Sequence, residues 1–394
     1  MNPPIGASEH SPLIDKPAYP ATERILGRFG SDIPGPLVLV VAGLHGNEPS
    51  GVAAVKRVAG KLNERQPQFR GEFIAVAGNL GALSKGIRFI ERDLNRGWNV
   101  RNVARSLDEP VSPEDREQAD LLDFIIPWLR RAAGATYVFD LHSTSSDSAP
   151  FLTLADTLDN REFGQRLGMP LVLGIEEQID GALLEYLGGF GPICLGVEAG
   201  QHDEPLSVDL HEAAVWMALT EAGCLTRDTH LFDMVECRRR IAVARAGLPH
   251  VFEVVYRRGI EPGDGFRMEP GHRNFERVQA GQIIARTNEG PVEIPQTAWL
   301  FLPSYQELGD DGYFLVRPVQ PVWLRMSRIL RRLGFARVLP WLPGVHSARE
   351  FTDTYLVDRR VARWLVIQFF HLLGYRRVRT TRRLMVFRGQ GSRG

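Results

Sequence analysis

Cysteine is scarce in this 394-residue chain. Its three cysteines, Cys194, Cys224 and Cys237, are odd in number, far apart and free of any C-x-x-C pair. That excludes a disulfide framework or a cysteine-ligated zinc site and fits a reducing compartment. Net charge is lacking as well: 47 lysines and arginines balance 47 acidic residues, so no global field argues for nucleic acid or an anionic membrane as partner. Long hydrophobic runs are also missing. None reaches the length of a bilayer span, and the first thirty residues mix proline, serine and acidic groups without the apolar stretch of a signal peptide, so a cytoplasmic location is expected.

What is present is an α/β pattern, in a chain long enough for two domains rather than one. The apolar run Leu37, Val38, Leu39, Val40, Val41 reads as a buried strand that stops at a glycine-flanked turn carrying His45 and Glu48. Helical spacing follows from Gly51 to Leu62, then a short strand from Phe73 to Ala77, an order that implies a parallel pair. Open α/β sheets bind ligands beyond the carboxyl ends of their strands, and Gly43 and Gly46 let the turn curl so that His45 and Glu48 face one cation. A third ligand is expected from the run Tyr137 to Leu141, which ends in His142 and carries Asp140 beside it.

The stretch from Asn79 to Trp98 has little periodicity but gathers Arg88, Arg92, Asp93, Asn95 and Arg96. A loop dense in arginine beside a metal site suits a carboxylate-bearing substrate, because guanidinium and carboxylate form planar bidentate pairs. Ser112 as cap and Pro113 at the first position open a helix to Arg131, with Ala119, Leu122, Ile125 and Leu129 on its apolar side. Pro150 to Leu154 and Ile193 to Val197 read as strands, the second ending in Glu198, and Ser207 to Ala222 reads as a helix. From about Phe252 short runs broken by glycine predict a small β domain. Residues 321–394 hold 16 arginines against three acidic residues, interleaved with Trp323, Leu324, Ile329, Val361, Trp364, Leu365 and Phe369. Two readings fit: a basic amphipathic surface for anionic lipid or nucleic acid, or, the preferred one, helices packed on the chain's own acidic body or on a second subunit.

Four motifs, GLHGNEPSG (Gly43 to Gly51), RDLNR (Arg92 to Arg96), DLHST (Asp140 to Thr144) and GVEAGQ (Gly196 to Gln201), resemble in order and spacing those of the succinylglutamate desuccinylase and aspartoacylase family. That family is similar in turn to the zinc carboxypeptidases. The resemblance covers roughly residues 30 to 320 and implies a zinc-carboxypeptidase-like mixed sheet with flanking helices plus a smaller β-rich C-terminal domain, with the basic extension outside it. The expected division is an N-terminal lead-in over 1–30, a zinc hydrolase α/β domain over 31–245, a β-rich domain over 246–320 and the extension over 321–394. The resemblance further implies Zn2+ on His45, Glu48 and His142, Glu198 as general base and Arg88 polarising the scissile carbonyl. It places Asn95 and Arg96 on the substrate carboxylate, and Tyr305 near the family's active-site tyrosine.

The activity so implied is zinc-dependent hydrolysis of the amide bond of a small N-acyl amino acid, a carbon–nitrogen bond other than a peptide bond. One departure narrows the substrate. Aspartoacylases carry an arginine about ten residues before the catalytic glutamate to grip a side-chain carboxylate, whereas this chain has Tyr186, Leu187, Gly188 and Gly189, so N-acetylaspartate is not expected. The alternatives are a zinc carboxypeptidase acting on peptide C-termini, or a non-catalytic scaffold whose Gly43 to Gly51 turn cradles an anion on backbone N–H groups. A homo-oligomer is compatible with either.

Overall fold

The computed structural model describes residues 23–226, 233–306, 309–348, 354–358, 360, 364–380 and 384–389. Most of the proline-rich lead-in, Val361, and the side chains of Trp364 and Leu365 lie outside that description.

Eleven strands form one mixed sheet, in spatial order Ile25–Gly30, Glu72–Ala77, Leu37–Ala42, Thr136–Thr144, Ile193–Gln201, Phe151–Thr153, Leu171–Leu173, Val251–Gly259, Asp311–Pro318, Ala298–Phe301 and Arg277–Val278. The central strands Glu72–Ala77, Leu37–Ala42, Thr136–Thr144 and Ile193–Gln201 run parallel. Their carboxyl ends therefore share one edge. All six residues of Leu37–Ala42 are buried, and the two-residue side-chain period divides them. Val38, Val40 and Ala42 enter the core beneath the helices Ser50–Arg65 and Pro205–Ala222, while Leu37, Leu39 and Val41 enter the core beneath Pro113–Arg131. A strand covered on both faces explains why its sequence is apolar throughout rather than alternating.

The helix Pro113–Arg131 starts where its chemistry dictates. Ser112 Oγ accepts from the Asp115 N–H at 3.0 Å and Asp115 Oδ2 accepts from the Ser112 N–H at 3.0 Å, a reciprocal cap worth about 1 kcal/mol for the serine alone. The stretch read as aperiodic contains two short elements, a helix Leu80–Lys85 and a 3-10 turn Leu94–Arg96. Both are set by side-chain caps, Asn79 Oδ1 accepting from the Ala82 N–H and Asp93 Oδ1 from the Asn95 N–H, so elements of six and three residues form without any apolar period.

The β-rich region after Phe252 continues the main sheet. Leu171–Leu173 pairs with Val251–Gly259 in parallel, and a separate three-stranded sheet, Arg267–Met268, Ile283–Thr287 and Gly290–Glu293, lies beside it. Residues 321–394 are not simply helical. The helices Pro321–Arg332 and Trp364–Leu372 accompany a four-stranded antiparallel sheet, Val345–Ser347, Thr354–Asp358, Leu384–Gly389 and Tyr375–Thr380, around a core that includes Val357, Phe370, Tyr375 and Phe387. Among the described residues no helix is long and apolar enough to cross a membrane.

Candidate metal centre and its pocket

The strand Leu37–Ala42 delivers the turn that carries His45 and Glu48, and the turn is packed tightly against the helix Leu80–Lys85. A Cβ on Gly46 would lie 2.1 Å from the Ala82 carbonyl carbon, so no other residue fits there. The Gly46 N–H donates to the Arg88 carbonyl at 3.2 Å, which holds the arginine-bearing segment against the turn. His142 arrives from the neighbouring strand Thr136–Thr144.

These three buried side chains converge. Glu48 Oε1 lies 2.9 Å from His45 Nδ1 and Oε2 lies 3.0 Å from His142 Nδ1, and one ligand atom from each of the three residues falls within 4.8 Å of the others. The far nitrogens are also held: His45 Nε2 meets Asp93 Oδ1 at 3.0 Å and His142 Nε2 meets Asp140 Oδ2 at 2.7 Å. A carboxylate behind each imidazole fixes the ring and leaves Nδ1 for a cation, the arrangement of histidine metal ligands in proteins. Burial alone raises the Glu48 pKa, but His45 and His142 outweigh it and hold the carboxyl well below the usual range. Burial opposes charge on His142, yet Asp140 and Glu48 raise its pKa well above the usual histidine value. The donor set and its outer carboxylates fit a divalent ion with nitrogen and oxygen ligands.

A pocket opens beside this cluster and takes in most of the residues singled out by sequence. His45, Glu48, Arg88, Asn95, Arg96, His142 and Glu198 all line it. Arg88 Nη2 donates to Asp93 Oδ2 at 3.0 Å, and its Nη1 sits 3.5 Å from Glu48 Oε1. Asn95 Oδ1 accepts from the Leu183 N–H at 2.8 Å, and Arg96 Nη2 donates to Asp311 Oδ2 at 2.8 Å. Glu198 is half-buried, with Oε2 out of solvent and lacking a partner, and its pKa is pushed up to about 8, chiefly by desolvation. Tyr305 is the exception and requires a correction: it does not line the pocket, where Ser304 and Gln306 stand instead. Its hydroxyl accepts from the His272 N–H at 2.9 Å and contacts the Glu269 and His272 carbonyls at 3.0 and 2.9 Å, which holds the ring against the 269–272 loop.

The roles of three residues in or behind the pocket escaped sequence reading. Asp93 acts as cap for the Leu94–Arg96 turn and as partner of both His45 and Arg88, a role its place inside RDLNR could have suggested. His202, whose Nδ1 lies 2.8 Å from Ser143 Oγ, carried a signal only in directly following GVEAGQ. Asp311, the partner of Arg96 across 215 residues of sequence, carried none.

The fold and the side chains together define an α/β protein with two histidines and one carboxylate, grouped as a candidate metal site, at the carboxyl edge of its parallel strands. Residues 34–222 match the succinylglutamate desuccinylase/aspartoacylase catalytic domain. A Xenopus laevis N-acyl-aromatic-L-amino acid amidohydrolase (carboxylate-forming) is 30% identical over 118 residues, 30% of this chain and 37% of the relative. A Pseudomonas putida succinylglutamate desuccinylase is 32% identical over 106 residues, 27% of this chain and 30% of the relative. The chain thus spans about a third of the length of these curated relatives. The crystal structure of a succinylglutamate desuccinylase/aspartoacylase from Rhodobacter sphaeroides shares the fold, with a TM-score of 0.54 and 20% identity over 74% of this chain and 87% of that one.

Proposed function

We propose that the chain is a zinc-dependent hydrolase of the amide bond of N-acyl amino acids. The observation that carries the reading is the convergence of His45, Glu48 and His142 beside the unpartnered carboxyl of Glu198, in a pocket that Asn95 and Arg96 also line. The names of the two curated relatives support it. Zinc held on His45, Glu48 and His142 would supply polarisation of the carbonyl and a fall in the pKa of water from about 15.7 toward ~7.

The remaining work falls to this chain's own groups. Arg96, oriented by Asp311, holds the substrate carboxylate together with the amide nitrogen of Asn95, whose oxygen is already engaged by the Leu183 N–H. Arg88, fixed by Asp93, faces the negative charge that develops on the carbonyl oxygen. Glu198 takes a proton from the attacking water and returns it to the leaving amine as the C–N bond breaks. The products are a carboxylate and a free amino acid. The three buried free cysteines are compatible with a cytoplasmic location.

Metal analysis of the purified protein, run beside hydrolysis assays on N-acyl amino acids and on C-terminal peptides, tests the reading. About one zinc per chain with turnover of the N-acyl amino acids is expected. Turnover confined to the peptides would replace it with a carboxypeptidase, and a metal-free protein inert on both would remove it.

A further inference from the structure

Between the pocket and the C-terminal region lies a buried charge cluster that the reaction above does not use. Asp156 is fully buried and binds Arg161 together with two arginines of the C-terminal region, Arg331 at 2.9 Å and Arg376. Arg376 also faces Glu177 at 3.4 Å, Glu253 at 3.5 Å and Glu176 at 3.7 Å. Three guanidiniums meet four carboxylates here, and His371 bridges Glu177 and Glu253. Every guanidinium is therefore already matched by a carboxylate. Arg376 packs against the turn Ile175–Glu177, and that turn is a wall of the pocket, which Ile175 and Glu176 line.

The pocket also runs along one face of the strand Ile193–Gln201. Glu198, Gly196 and Cys194, alternate residues, all line it, a path of about 13 Å at ~3.3 Å per residue. Gly196 keeps that path open, since a Cβ there would lie 2.3 Å from Thr153 Oγ1. Apolar Leu154, Ile175, Ile179 and Leu184 also line the pocket, and Arg88 and Arg96 are its only lining lysines or arginines among the described residues. On the Ile175–Glu177 wall the polar group is Glu176, whose Oε1 accepts from the Asp156 N–H at 3.2 Å while Oε2 is buried without a partner.

We propose that Glu176 and Arg376 determine specificity at this site, making the pocket accept N-acyl amino acids whose remaining group is uncharged and apolar and reject those carrying a second carboxylate. The inference rests on the hydrolase reading above. A second carboxylate on this wall would be desolvated beside Glu176 with no cation to meet it, because Arg376 is already committed to four acidic groups. Arg376 is a positioning residue: it acts through Glu176 and the turn, and it comes from outside residues 34–222, so the family domain alone does not set this wall.

The test is calorimetric binding of N-acetyl-leucine and N-acetylaspartate to the intact, zinc-loaded chain and to its Glu176→Gln and Arg376→Lys variants at about pH 8, with turnover of both compounds measured alongside. The unmodified protein should bind N-acetyl-leucine at least about tenfold more tightly, and Glu176→Gln, with unchanged near-UV circular dichroism, should narrow that ratio about tenfold. Arg376→Lys keeps the charge but loses the planar fork, and should raise KM for N-acetyl-leucine while leaving kcat within about twofold. Equal binding of the two ligands, binding of neither, or an unchanged ratio in Glu176→Gln would overturn the proposal. The expected binding preference without turnover would remove the hydrolase reading and leave this inference standing; turnover that favours N-acetylaspartate would do the reverse.

Discussion

His142 and Glu198 are register partners across the parallel strands Thr136–Thr144 and Ile193–Gln201. The strand that supplies a metal-ligand candidate thus lies one sheet spacing, about 4.8 Å, from the strand that supplies the unpartnered carboxyl, and both project at the same edge. Two neighbouring strands hold the proposed ligand and the proposed base side by side.

Replacing Glu198 with Gln tests that pair. The amide keeps the shape and cannot take a proton, so turnover should fall by ~10²–10⁴-fold while metal content stays the same. A loss of less than about tenfold would hand the base role to another group, and His202 is one titratable side chain that also lines the pocket.

Removing a ligand should act on metal and stability together. His142→Ala leaves Glu48 with one imidazole and Asp140 with none, and it should abolish both zinc retention and activity. Treating the unmodified protein with a chelator should lower Tm in the same direction, because a ligand bound to the native state alone stabilises it by mass action. Full zinc occupancy in His142→Ala would take this residue out of the site.

Asp156 anchors the C-terminal region through charge rather than apolar contact alone. Asp156→Asn leaves Arg161, Arg331 and Arg376 short of a buried counter-charge, and breaking a buried pair in this way costs about 3–5 kcal/mol. Arg57→Ala removes an exposed pair with Asp209 and should change stability by less than about 1 kcal/mol. Urea melts of the two variants give the comparison, and equal midpoints would show that the buried cluster adds nothing.

The same cluster sets a pH dependence. Glu176, beside Arg376, Asp156 and Glu177, is raised to about 7 by burial, and His371, between Glu177 and Glu253 with Arg376 close by, is raised above the ordinary histidine value by those carboxylates despite burial. A group raised on folding contributes stability below its unfolded pKa and loses it as pH climbs through the folded one, so Glu176 weakens the fold from about pH 5 upward, with most of its loss complete by about pH 8, and His371 adds to the loss above its unfolded value of about 6.5. Glu253 runs the other way. Its pKa is lowered to about 2 by His371 and Arg376 against burial, so its contribution fades as pH falls from ~4.5 toward 2. Tm should therefore be lower at about pH 8 than at about pH 6, and Glu176→Gln should flatten that alkaline limb; parallel curves for the two proteins would rule Glu176 out.

Truncation tests the tail as a whole. Deleting residues 321–394 uncovers the surface under Arg331 and Arg376 and exposes apolar area worth about 25 cal/mol per Å², so Tm should fall. An unchanged Tm together with the loss of a salt-sensitive association with vesicles or nucleic acid would favour the surface reading instead.

The local pieces follow from residue order alone. Leu37 to Val41 had to be a doubly covered strand because no polar residue interrupts it, and Ser112 with Pro113 and Asp115 had to start a helix because cap and first turn satisfy each other within four residues. Four motifs in order were enough to bring His45, Glu48, His142, Asn95, Arg96 and Glu198 to one pocket, since each sits at or just beyond a strand or turn whose chemistry is local. Tertiary structure alone decided what binds across distance. Asp311 reaches Arg96 over 215 residues, Arg376 reaches Glu176 from a small sheet that no periodicity announced, and Tyr305 turns outward because the 269–272 loop offers its hydroxyl partners. Hydrogen bonds and ion pairs of this kind leave no spacing rule in the chain, because their partners are neighbours only once the sheet has formed.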